Sequence, residues 1–318
     1  MKNHILWVLL LISALHPPLR ATEEDGTEPP QKVYSGIYLM NLYDLNINEY
    51  SFYADFYIWF KWKGPLDPMN IEFVNALEKW GFTQTMFYDT AKVLPDGYSY
   101  NGMRIEGRFY NSFLLNHFPL DHHDLEIRVE NVDYPQGSLE YVPDSSSALF
   151  RPDFLIPGWQ IEGAGMKNHS NFYQTNFGET GVKNDSYSNF TFHLTIGRPI
   201  SYFLLKLMLP LLIVLAASLG GLIIHPQYID ARVSLPIGGL LSCVFLQQSY
   251  SSALPDVGYM VLMDKIYLLS YMLIGAVMLR VIAIGNKTAW GKSEVTRKSA
   301  HIGVLLVVVV SIKIDKND

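Results

Sequence analysis

Residues 230–252 read DARVSLPIGGLLSCVFLQQSYSS, an apolar segment in which polar residues recur at helical spacing. The steps along one face are four, four, three, four, three and four residues, the spacing of one side of an α-helix. That face carries an acid at one end, then small residues, then Leu and Phe, and polar residues at the other end. Its members are Asp230, Ser234, Gly238, Leu241, Phe245, Gln248 and Ser252.

Two interpretations fit this face. Small and polar residues mediate helix–helix packing in membranes, but an acid and amides are costly against lipid and natural around water. One helix cannot enclose water, so the second interpretation requires several copies in a ring. There Asp230 would form a circle of carboxylates that attracts cations, and Leu241 and Phe245 would form apolar rings that block ions by dewetting. Arg232, two positions from Asp230, is expected to face away, toward headgroups or a neighbouring subunit.

The whole sequence divides into four parts, and this helix lies in the last of them. The chain has 318 residues and a mean hydropathy of +0.11, and its apolar excess is concentrated at the two ends. We predict a cleaved secretory signal at residues 1–21, an acidic, Pro-rich leader at 22–31, an exported domain at 32–199 and a membrane domain at 200–318. The predicted membrane spans are 202–224, 230–252, 259–284 and 298–314.

The exported domain is predicted to be an antiparallel β-sandwich. Its apolar runs are short, rich in Tyr, Phe, Val and Ile, and separated by turn residues such as those of 95–97. Residues 190–196 alternate apolar and polar with a period of two. No long helical pattern interrupts them, and the fold class is therefore β plus α: an extracellular sandwich followed by a four-helix transmembrane bundle.

Charge and motif content exclude several functions. The net charge is −6 without a basic run, so no nucleic-acid partner is expected. We find no nucleophile elbow, metal-ligand spacing or phosphate loop, so neither an enzyme nor a cofactor or metal site is predicted. The adjacent His122 and His123 are expected to be solvated loop residues. Basic residues concentrate in the loop at 285–297, which places that loop in the cytoplasm and the sandwich outside.

Several motifs, in order, give the chain a resemblance to a known family. They are VYSGIYLMNL at 33–42, DFYIWFKW at 55–62, FPLD at 118–121, Arg198 before and Pro210 within the first span, ARVS at 231–234, and Leu254–Pro255. Together they resemble the pentameric ligand-gated ion channels of the Cys-loop superfamily, in particular the bacterial branch. Asn111 and Leu125 stand where the superfamily has its two cysteines, and Pro236 and Gly238–Gly239 are unusual in the pore helix.

The resemblance implies a homopentamer and roles for two further groups of residues. The coupling group, where sandwich meets membrane, would be Glu49, Pro119, Asp121, Arg198 and Pro255. In it, Asp121 and Arg198 would form a partly buried ion pair with Glu49 as a third member, and Pro119 would press on the loop at 254–259. The agonist group, an aromatic box between neighbouring sandwiches, would be Phe52, Glu130, Tyr134, Tyr173 and Tyr187.

The sequence therefore predicts a subunit of a homopentameric, cation-selective channel, conducting monovalent cations across the inner membrane, with its N-terminal domain extracellular or periplasmic. Asp230 would select for charge, and Leu241 and Phe245 would form the gate. The opening signal is a small amine, another small ligand, or protons. The alternative is a membrane-anchored binding or sensor protein without conductance.

Overall fold

The computed structural model describes residues 29–145, 148–175, 178 and 186–289, apart from the side chains of Lys79 and of residues 286–289. The predicted signal, most of the leader, most of the cytoplasmic loop and the fourth span lie outside this range. Within it, a domain of two β-sheets is followed by three apolar helices, which confirms the predicted fold class for these parts.

The described strands are β1 (Gln31–Asn46), β2 (Ser51–Trp62), β3 (Ile71–Phe73), β4 (Ala76–Leu77), β5 (Thr83–Met86), β6 (Lys92–Val93), β7 (Ser99–Tyr110), β8 (His122–Asn131), β9 (Leu139–Pro143), β10 (Gln160–Phe172) and β11 (Ser186–Gly197). Seven of them form the first sheet, in the order β4-β7-β2-β1-β9, with β5 and β6 also paired to β7. The other four form the second sheet, in the order β10-β11-β8-β3. Most pairs are antiparallel, while β1 and β9 are parallel.

Alternate residues of the central strands fill the space between the sheets. Even-numbered apolar residues of β2 and β11 are buried because successive side chains of a strand point to opposite faces. Phe109 lies at the centre of an aromatic cluster and contacts the rings of Phe52, Phe56, Phe73 and Phe82, with centroids 5.3–5.9 Å apart. The odd-numbered residues of β2 and their neighbours on β7 lie on the outer face of the sheet, which holds the polar side chains.

The three helices are α1 (Tyr202–Ile223), α2 (Ile229–Ser251) and α3 (Leu262–Ala289), and each is long and apolar enough to cross a membrane. The first turns of α1, Tyr202–Met208, are π-helical and precede Pro210. Because proline has no N–H, it cannot donate the usual helical bond, and the winding changes in front of it. The helix α3 begins later than predicted, where Asp264 accepts a hydrogen bond from Val261 N at 3.1 Å.

The unusual residues of α2 are explained by its packing against α1. Pro236 and Gly239 are buried on the side that faces α1, and a side chain at Gly239 would collide with Ser218 Oγ. Gly238 faces the opposite side, where an added Cβ would meet nothing within 4 Å. Small residues at such positions let helix backbones approach closely. Pro236 and Gly239 therefore serve the contact between helices, whereas Gly238 keeps the outer face narrow.

Candidate functional site

The face of α2 predicted to line a pore is exposed along its whole length. All seven of its members, from Asp230 to Ser252, are exposed, including 56% of Leu241 and 66% of Phe245. The opposite face is buried against α1 and α3, and its members are Arg232, Pro236, Gly239, Cys243 and Tyr250. Among the helices that the structure describes, the polar stripe is therefore not a packing seam, and its proposed neighbours are water or other chains.

Arg232 occupies a different place from the one predicted. It is 2% exposed and lies inside its own chain rather than toward headgroups or a neighbouring subunit. Its Nε donates a hydrogen bond to the carbonyl of Gly221 at 3.1 Å, near the C-terminal end of α1. A cation is favourable there because the carbonyls at a helix C-terminus carry partial negative charge. Asp230 is thus the charged residue of this turn that remains exposed.

At the junction between sandwich and helices, a buried carboxylate binds two basic side chains. Asp121 Oδ1 accepts a hydrogen bond from Arg198 Nε at 3.1 Å, and Oδ2 accepts one from His123 Nε2 at 2.6 Å. The guanidinium of Arg198 also lies 4.3 Å from the ring centre of Trp159. Burial by itself would raise the pKa of the Asp121 carboxyl, but His123 and Arg198 together hold it below its ordinary value.

The third member of this cluster is His123 and not Glu49. Glu49 instead accepts a hydrogen bond from Arg108 Nη1 at 2.8 Å, because the β1–β2 turn lies over the end of β7, where Arg108 also binds Asp44. The prediction that both histidines are solvated holds only for His122, which is exposed and bonds Glu162. His123 is buried because successive side chains of β8 point to opposite faces of the sheet, and that of His123 points inward.

The FPLD loop reaches the helices through Phe118 and the residues just before it. Phe118 stacks on Tyr250 at the end of α2, with ring centroids 6.2 Å apart. Leu115 N donates to the Tyr259 hydroxyl at 3.0 Å, and Leu262 N donates to the carbonyl of Asn116 at 3.0 Å. Pro119 is buried and Pro255 half-buried beside these contacts. The loop thus touches the end of α2, the α2–α3 connection and the start of α3.

The position of the missing cysteines is held by a hydrogen bond. Asn111 is buried, and its Oδ1 accepts a hydrogen bond from Glu126 N at 3.4 Å, next to Leu125. The two ends of the loop at 111–125 are therefore tied together without a disulfide.

A second candidate site surrounds Glu130 on the outer face of the second sheet. Glu130 is 2% exposed and accepts hydrogen bonds from Asn171 and Asn189, both at 2.7 Å, and from the Tyr173 hydroxyl at 2.9 Å. Tyr173 and Tyr187 contact each other edge to face, with centroids 5.8 Å apart. Burial and the hydrogen bond to Glu130 raise the pKa of Tyr173 to about 12. Within the described residues, the hydrogen-bond donors to this carboxylate are the neutral side chains of two asparagines and a tyrosine, and no cationic side chain pairs with it.

Not all the predicted agonist residues meet at this site. Tyr134 is half-buried, and its loop is joined to β11 by a hydrogen bond from Gln136 N to the carbonyl of Ser186 at 2.7 Å. The predicted agonist role of Phe52 is wrong. This residue is 1% exposed and stacks on Phe109 between the sheets, because its even position on β2 points into the core. Conversely, sequence reasoning missed Asn171 and Asn189, whose side chains hold Glu130.

Among the described residues, no group of three or more His, Cys, Asp or Glu side chains could hold a metal ion. Trp159 and His123 also belong to the candidate junction site, and neither was predicted to do so. The available signal was the position of His123, two residues after Asp121.

We expect Asp121→Asn to destabilise the folded protein by about 3 kcal/mol or more, because removing one member of a buried ion pair leaves Arg198 without its carboxylate. The measurement is thermal or denaturant unfolding of the full chain in detergent. Asp124→Asn is the matched control, since Asp124 is exposed and bonds only Thr195 among the contacts described. Equal destabilisation by both changes would contradict the assigned role of Asp121.

The same pair predicts how acid acts on stability. A carboxyl whose folded pKa lies below its ordinary value of 3.8 stabilises the fold above that value and loses this contribution as pH falls through the lowered pKa. The stability difference between the wild type and Asp121→Asn should therefore be constant near neutrality and narrow only below pH ~4. A difference that already narrows between pH 7 and 5 would contradict the assignment.

Comparison with known proteins supports the family resemblance that the motifs indicate. No family model matches the chain. It is similar to the gamma-aminobutyric acid receptor subunit gamma-1 of Rattus norvegicus (20% identical over 275 residues, 74% of this chain and 58% of that subunit). It is also similar to subunit alpha-2 of Mus musculus (21% identical, 87% of this chain and 66% of that subunit) and subunit rho-2 of Homo sapiens (24% identical, 69% of this chain and 46% of that subunit).

The chain thus spans about three-fifths of the length of the first of these relatives. They are receptor subunits rather than enzymes, in agreement with the lack of catalytic motifs. Assignment to the bacterial branch stays a prediction. The two-sheet domain, the three apolar helices and these matches together confirm the resemblance of the chain to the ligand-gated channel subunits of the Cys-loop superfamily.

Proposed function

We propose that this protein is a subunit of a homopentameric, cation-selective channel that opens in response to an extracellular signal. The observation that carries the proposal is the exposed stripe of α2, which places an acid, small residues, two apolar residues and polar residues on a side that no other helix of the described chain covers. Against lipid, such a stripe would be costly, whereas around a shared water column it is favourable.

Charge selection in this proposal depends on Asp230. Five copies would place five carboxylates at the cytoplasmic mouth, where they attract monovalent cations and repel anions. Leu241 and Phe245 would form the gate, because two apolar rings near the middle of a narrow path exclude water when the path tightens. The protein would lie in the inner membrane with its sandwich outside.

The Glu130 site is the proposed place of agonist binding. A buried carboxylate held by neutral donors and flanked by Tyr173 and Tyr187 suits a small amine, since an ammonium would pair with the charge and lie against the rings. Because Tyr173 covers Glu130, binding would require its hydroxyl to move aside. Movement of Tyr173, next to the end of β10, would transmit ligand binding to the rest of the sheet.

The test of conduction is to reconstitute the purified protein in lipid bilayers and record current over a panel of small amines and pH steps. We expect current that reverses near the cation equilibrium potential in a salt gradient. Asp230→Ala should move the reversal potential toward zero and Asp230→Lys toward that of anions, while Asp230→Glu, which keeps the charge, should leave it unchanged. A well-assembled protein without current under any condition would support a membrane-anchored sensor instead.

Glu130→Gln should weaken activation by amines about tenfold or more, because it removes the charge while keeping the shape of the side chain. The measurement is the amine concentration that gives half-maximal current. Glu126→Gln is the matched control, since Glu126 lies on the same strand but is paired with Arg128 and Lys167. A concentration shift of less than about twofold for Glu130→Gln would exclude this site as the amine site.

A further inference from the structure

The helices α1 and α2 meet in a contact that confines a positive charge beside the proposed pore. Arg232 is 2% exposed, and among the described residues its Nη1 has no hydrogen-bond partner although it is buried. Its Nε bonds Gly221 O at 3.1 Å. A buried guanidinium with one donor satisfied and another unmatched is costly unless the surrounding structure holds it there.

Gly221 and Pro236 provide that restraint. Pro236 has no N–H, so the carbonyl of Arg232 lacks the donor that residue 236 would normally supply. Gly221 packs directly against that carbonyl: an added Cβ would lie 2.8 Å from the Arg232 oxygen and 3.3 Å from Pro236 Cδ. The contact is backbone to backbone and cannot be relieved by rotating a side chain. The two helices are therefore held at a distance that only glycine permits.

We propose that Gly221 and Arg232 are positioning residues for charge selection: the close contact at Gly221 keeps the Arg232 guanidinium off the pore axis, so that Asp230 alone sets the sign of the charge at the inner mouth. The proposal rests on the channel function proposed above. If the contact were opened, the long Arg232 side chain would leave Gly221 and extend toward cytoplasmic water, next to the ring of Asp230 carboxylates. The net charge of five Asp230 and five Arg232 residues in that region would then approach zero.

The sequence provides a matched pair of glycines for the test. A Cβ at Gly220 would meet only Leu235 Cδ1, at 3.8 Å, which is an ordinary contact with a flexible side chain. Gly220→Ala and Gly221→Ala thus add the same methyl group on successive residues of α1. Only the second forces α1 and α2 apart.

The experiment measures reversal potentials of reconstituted wild-type and variant channels in a salt gradient, after gel filtration shows intact assembly. We expect Gly221→Ala to reduce the cation-to-anion permeability ratio about threefold or more, since an added positive charge in the mouth repels cations there. Gly220→Ala should keep the wild-type ratio. Combining Gly221→Ala with Arg232→Gln should restore the ratio, because the displaced group no longer carries charge.

Three outcomes would overturn the inference. The first is an unchanged ratio in Gly221→Ala, and the second is a reduced ratio that Arg232→Gln does not restore, which would show that pore shape and not the guanidinium is responsible. If Gly221→Ala does not assemble, the Arg232→Gln variant decides alone. The third outcome is a cation-to-anion permeability ratio of Arg232→Gln that lies clearly above the wild-type ratio. A wild-type channel without current or without cation preference would instead refute the proposed function.

Discussion

The Asp121 carboxylate is the point at which the two halves of the chain are joined by charge. It lies immediately before β8, it binds Arg198 just before α1, and it binds His123 within the same buried cluster. Phe118, three residues earlier, stacks on Tyr250 at the end of α2. In the proposed channel, a displacement of the second sheet would therefore reach both α1 and α2 through a few residues. Because the carboxylate is buried, it cannot exchange its partners for water without a large free-energy cost.

In three regions of the molecule, a buried charged side chain is held by hydrogen bonds. Glu130 is held by neutral donors in the sandwich, Asp121 by two basic groups at the junction, and Arg232 by a helix carbonyl in the membrane domain. Each arrangement leaves one sign of charge incompletely balanced. In the proposed function, Glu130 would accept a cationic ligand, Asp121 would join the sandwich to the helices through Arg198, and Arg232 would leave Asp230 as the exposed charge of its turn.

The architecture could be predicted from the sequence because it depends on periodicity, whereas the sites depend on distances between strands. Alternation in residues 190–196 and the helical stripe of α2 identified the sandwich and the exposed face directly. The same alternation places Phe52, an even position on β2, in the core, whereas the family resemblance had assigned it to the agonist group. Asn171 and Asn189 were missed because they approach Glu130 only through the register of β8, β10 and β11, which no local pattern reveals. Glu49 was misplaced because its partner, Arg108, lies on a distant strand.

The residues of α2 that looked most irregular are those that the packing requires. A proline in the second turn of a helix and adjacent glycines reduce helix stability. Pro236 deprives the Arg232 carbonyl of its usual helical donor, and Gly221 and Gly239 allow α1 and α2 to approach until that carbonyl is covered. A stronger helix former at residue 236 or 239 would stabilise α2 in isolation but separate the pair and release Arg232. The sequence of α2 is therefore constrained by the side that holds the guanidinium as well as by the side that faces the proposed pore.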